Sequence, residues 1–148
     1  MKKLIFALAF ALSSAAFAHD EGHGPKLSDT GKFGGIVSGV VLKADAKKGS
    51  KADLTHKAEL VRSADGTVRV YLYDTKMIPL DLKKFEAKGS AVMAAKVKGK
   101  HKESVFALNV KENAFIGTMP KPEGKPYNID VTVKENGREL LTAFDNLD

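Results

Sequence analysis

The side chains of this chain best suited to chemistry are its four histidines, His19, His23, His56 and His101, because imidazole is the commonest ligand for zinc and copper near neutral pH. Two of them belong to the run His19-Asp20-Glu21-Gly22-His23-Gly24, which gathers imidazoles and carboxylates within a few residues. If processing leaves His19 as the first residue, its free α-amine and its imidazole chelate one metal ion without help from a fold, and His23 adds a further ligand. The same run also reads as a solvated, flexible start, since short histidine-containing tracts bind metal readily but not selectively. The hairpin register derived below sets His56 opposite Asp74. A carboxylate there orients the imidazole, either in a plain ion pair at the rim or as support for a metal ligand that His19 swings over to complete.

Two further groups have both a chemical and a structural reading. Met77, Met93 and Met119 offer thioethers, which select Cu(I), but methionine on an alternating strand also serves as core filler. Lys96, Lys98, Lys100 and Lys102 occupy every second position around His101. If that segment is extended they form a basic stripe for anionic lipid, polysaccharide or an acidic partner; otherwise it is a solvated loop. The sequence has no cysteine, no G-x-S-x-G elbow, no H-E-x-x-H and no glycine-rich phosphate loop, so no enzyme is expected.

What must position these residues begins after a targeting segment. Lys2 and Lys3, the apolar run Leu4–Leu12 and the small-x-small site Ala16-Phe17-Ala18 predict a signal peptide over residues 1–18, cleaved after Ala18. That run is too short to cross a bilayer core of about 30 Å, and no transmembrane segment is expected elsewhere. Export makes the expected address periplasmic. About 130 residues remain, the size of one domain. Without disulfides it must rest on a packed core. The net charge of +6 falls to +4 without Lys2 and Lys3, a mild excess that does not point to nucleic acid.

Residues 19–35, rich in glycine and polar side chains, read as a flexible arm, and 36–148 as the folded domain. The hairpin at its centre is the run from His56 to Asp74, closed by Ala64-Asp65-Gly66. Its register opposes Leu60 with Val70 and Ala58 with Leu72 on an apolar face. Val61 with Arg69, Glu59 with Tyr71 and Lys57 with Tyr73 lie on a mixed face expected to stay in water. Truncating Leu72 is therefore expected to cost clearly more than truncating Tyr73. A turn at Glu112-Asn113 sets Val110 opposite Phe115, and Asn136-Gly137 sets Val133 opposite Leu140 and Ile129 opposite Phe144. Seven or eight short strands and no helical period predict an all-β, antiparallel, immunoglobulin-like β-sandwich, with a small barrel as the alternative.

The block from Lys57 to Leu82, KAELVRSADGTVRVYLYDTKMIPLDL, together with Gly31–Val40 and the histidine-bearing arm, resembles small exported bacterial β-sandwich proteins found in or beside periplasmic heavy-metal efflux and resistance components. Gly34, Gly35, Glu59, Leu60, Val61, Arg69–Asp74 and Pro79–Asp81 carry the likeness. A terminal His19 reaching His56 is also similar to the histidine brace of copper-binding β-sandwich proteins. These resemblances imply a non-enzymatic protein that binds or buffers Cu or Zn through His19, His23 and His56 and meets a periplasmic efflux component. The alternative expectation is an envelope interaction module that docks a protein or anionic polymer on Arg69, Tyr71, Tyr73 and the lysine stripe.

Overall fold

The computed structural model describes residues 24–148. Eight antiparallel strands follow one another: β1 (Ile36–Leu42), β2 (His56–Arg62), β3 (Thr67–Tyr73), β4 (Lys88–Val97), β5 (Lys100–Lys111), β6 (Ala114–Thr118), β7 (Tyr127–Glu135) and β8 (Arg138–Leu147). The only helical pieces described are 3₁₀ turns at Lys43–Lys51 and Leu82–Lys84. None is long and apolar enough to cross a membrane.

The strands close into one barrel in the order β1-β2-β3-β6-β5-β4-β7-β8. The all-β expectation holds, but the sandwich is replaced by a barrel for a definite reason. β8 pairs with β7 along one edge and with β1 along the other, through Val40–Thr142, Val41–Leu141 and Leu42–Leu140, so there are not two separate sheets to stack. Where β1 diverges from β8, the Ser38 hydroxyl donates to the Ala143 carbonyl at 2.7 Å in place of a ladder bond.

Turn chemistry fixes the three expected hairpins. Leu60–Val70 and Ala58–Leu72 face each other as anticipated, as do Val110–Phe115, Val133–Leu140 and Ile129–Phe144. Asn136 and Gly137 both take positive φ (49° and 79°), which a two-residue turn between right-twisted strands requires. A fourth hairpin, β4–β5, turns at Lys98-Gly99 within the lysine run.

The inward side chains fill the barrel. Leu60, Val70, Leu108, Phe115, Ile129 and Leu140 are at most 2% exposed and belong to a single apolar cluster. The connection from β3 to β4, residues 74–87, crosses one end and buries Leu82 and Phe85 against that cluster. Asn113 holds it there, accepting from Leu82 N–H (3.3 Å) and donating to the Leu80 carbonyl (3.0 Å). Pro79 meets Tyr73 in an isolated bridge, the edge position that a residue without an N–H tolerates.

Candidate functional site

His56 lies two residues before Ala58 on β2 and so shares its inward face, at the end capped by the crossover. Its Nε2 is 2.9 Å from Glu135 Oε2, with both side chains largely buried. The Phe85 ring packs beside it at 6.0 Å, and Arg138 Nη2 stands 3.7 Å from the same Glu135 oxygen. The partner is thus Glu135 and not Asp74. Pairing of β2 with β3 ends at Lys57–Tyr73, and the Asp74 carboxylate turns away to accept N–H bonds from Lys76 (2.8 Å) and Ile78 (2.9 Å). Chiefly the Ile78 bond holds the Asp74 carboxyl below the usual carboxylate range. Nothing local foretells Glu135, which comes from β7, 79 residues along the chain.

Among the described residues no three His, Cys, Asp or Glu side chains are grouped to hold a metal ion. His19 and His23 lie outside the described residues. Gly24 packs against Val41 and Gly39. Val40 points into the core, so Val41 and Gly24 are on the outer side of the wall, whereas His56 faces inward. The methionines do not converge either. Met93 is buried in the barrel and Met77 sits in the turn after Asp74, while Met119 follows β6 near the opposite end.

The described part of the arm, residues 24–35, lies on the outside of β1 to β3, and its anchor is Glu59. This carboxylate has no exposed surface. It accepts the N–H groups of Lys32 (2.9 Å), Phe33 (2.8 Å) and Gly35 (2.8 Å) and the Tyr73 hydroxyl (2.7 Å). Burial by itself would raise the Glu59 pKa. The bonds from Tyr73, Gly35, Phe33 and Lys32 outweigh it, and the carboxyl stays below its ordinary value. Burial, followed by the hydrogen bond and charge of Glu59, pushes the Tyr73 phenol up.

Close approach is what the glycines allow. A Cβ at Gly35 would stand 2.4 Å from the Leu60 carbonyl oxygen, and one at Gly31 would stand 2.3 Å from Glu59 Oε1. Around this latch Asp29 pairs with Lys57 Nζ at 2.8 Å, Phe33 stacks on Tyr71 at 4.1 Å, and Lys32 Nζ lies 5.8 Å from the Tyr73 ring centroid. The expected water-facing side of the central hairpin is therefore covered, with Lys57, Glu59 and Tyr73 buried beneath the arm. The sequence signal for it was the glycine-rich run Gly31–Gly35, whose small residues mark a place where backbone meets another surface.

The basic stripe does not assemble. Lys96 lies opposite His101, whereas Lys100 and Lys102 lie opposite Val97 and Ala95 and so project from the other side; Lys98 is in the turn. Lys102 is paired with Glu123. No protein-family model, no curated protein and no solved structure matches this chain.

Proposed function

We propose that this chain is a small, non-enzymatic protein of the bacterial periplasm that binds or buffers copper or zinc through His19, its α-amine and His23. One observation carries the reading: the arm that follows the histidine run is tied to a packed barrel at residues 32–35, where the buried Glu59 carboxylate accepts three of its N–H groups. The barrel then serves as a rigid carrier, and the histidines are presented from a fixed root. His56 Nε2 is engaged by Glu135, which leaves Nδ1 as the nitrogen that could meet a metal.

The test is calorimetric titration of the chain beginning at His19 with Cu(II) and Zn(II), beside a variant lacking His19–Gly24. Saturable heat that disappears in the variant is expected. Heat no greater than that of an unrelated peptide would retire the proposal. Mass spectrometry of the exported protein establishes whether His19 carries the free α-amine that the chelate needs.

A further inference from the structure

The end of the barrel opposite the crossover is shaped differently. An open cleft of about 510 Å³ there adjoins another of about 460 Å³, and the two share Ser63, Ala64, Met119 and Pro122. Together they form one groove, from Gly34 and Gly35 of the arm past the end of β2 to Gly66 in the β2–β3 turn.

Its cations are Arg62, Lys121 and Lys125. Arg62 is held in place: Nη1 donates to the Tyr127 hydroxyl at 2.5 Å and to the Asp148 carbonyl at 3.0 Å, with the guanidinium 5.6 Å from the Tyr127 ring centroid. The two lysines project from the loop of residues 119–126, MPKPEGKP, which three prolines stiffen. Glu123, the one acid of that loop, is drawn to Lys102 of β5 at 2.5 Å. Among the described residues neither Lys121 nor Lys125 has an ion-pair partner. Two acids border the groove. Asp65 accepts the Thr67 N–H at 2.9 Å within its own turn, and Asp148 lies beside Arg62, its carbonyl oxygen accepting from Nη1. The mixed lining also offers apolar side chains, with Ile36 44% exposed and Met119 and Pro122 in the same groove.

We propose that this groove binds an extended, acidic peptide segment of a partner protein, with carboxylates on Arg62, Lys121 and Lys125 and apolar side chains on Ile36 and Met119. Its open, elongated shape suits a chain, since a small molecule gains most where its surface is largely enclosed. A sugar polymer would find no ring to stack on, because Tyr127, the aromatic residue of the lining, is only 3% exposed. A proline-stiffened loop loses little freedom on docking, and unpaired cations beside apolar contacts give both steering and register. The proposal is independent of metal capture by the arm.

The test is fluorescence anisotropy of a labelled Glu-Pro-Leu repeat peptide with the full chain in low-salt buffer. Lys121→Glu combined with Lys125→Glu is expected to weaken binding at least about tenfold. These two exposed lysines make no bond that folding needs, so their reversal isolates the groove, whereas Arg62→Gln also removes the Tyr127 bond. Lys83→Glu with Lys84→Glu, the same charge change on the capped end, is expected to leave binding within about twofold. Three results would each overturn the proposal: no saturable binding by the parent chain, equal weakening by the two double variants, or displacement of the peptide by an equally charged uronic-acid polymer.

Discussion

The outer surfaces of β2–β3 and of β4–β5 are built from the same kind of alternating strand, yet one is sealed and the other bare. Under the arm, Lys57, Glu59 and Tyr73 are 8%, 0% and 1% exposed; on β5, Val105 is 71% exposed. Polar residues stand on both walls, Lys57, Glu59 and Tyr73 buried on the hidden one and Glu103, Asn109 and Lys111 exposed on the open one, which also leaves the β-branched Val105 bare. Side-chain hydrophobicity therefore did not decide which wall would be covered. The decision rests with backbone donors: residues 32–35 carry N–H groups that no strand pairs, and Glu59 accepts three of them. The difference is that one wall offered an acceptor to a segment in need of one.

Removing that acceptor should have the largest effect. Glu59→Ala strands three N–H groups and the Tyr73 hydroxyl and is expected to cost at least about 3 kcal/mol in a denaturant titration. The parent chain should also lose stability as pH falls below the ordinary glutamate value of about 4.3, because a carboxyl whose pKa is depressed by folding stabilises above its unfolded pKa and stops doing so once protonated. Glu59→Gln should flatten that part of the profile; an unchanged profile would mean that other carboxylates govern it. Next in size, Tyr73→Ala should cost about 3 to 5 kcal/mol, matching or exceeding Leu72→Ala at about 2 to 5. A Tyr73 variant much milder than its Leu72 counterpart would show that the wall opens in solution. Smallest, Phe33→Ala should cost about 0.5 to 1.5 kcal/mol through its stack on Tyr71, while Val105→Ala on the bare wall stays within about 0.5. Equal values for these two would erase the contrast.

What could be read beforehand follows the range of the interactions involved. Ala64-Asp65-Gly66, Glu112-Asn113 and Asn136-Gly137 are local devices, and each fixed its register in the sequence as it does in the structure. Lys98-Gly99 is a device of the same kind, obscured because its lysine neighbours read as a charge pattern. Pairings between distant strands, β1–β8, β3–β6 and β4–β7, carry no mark in either partner's alternation, and they separate a barrel from a sandwich. Likewise Glu135 answers His56 across 79 residues, and Glu59 answers Lys32 across 27. Leu72 was legible as interior because alternation reports the side facing the core. Tyr73 was not legible as buried because alternation is silent about what lies behind the sheet.

The junction of β1 with β8, only three residue pairs long, has a consequence for how the molecule comes together. It joins the first and the eighth of the described strands, so the ring has no clasp until β8 arrives. A chain stopped short of Arg138 would carry raw edges on both β1 and β7, ready to zip onto neighbours. Completion and protection against clumping are thus one event, performed by β8.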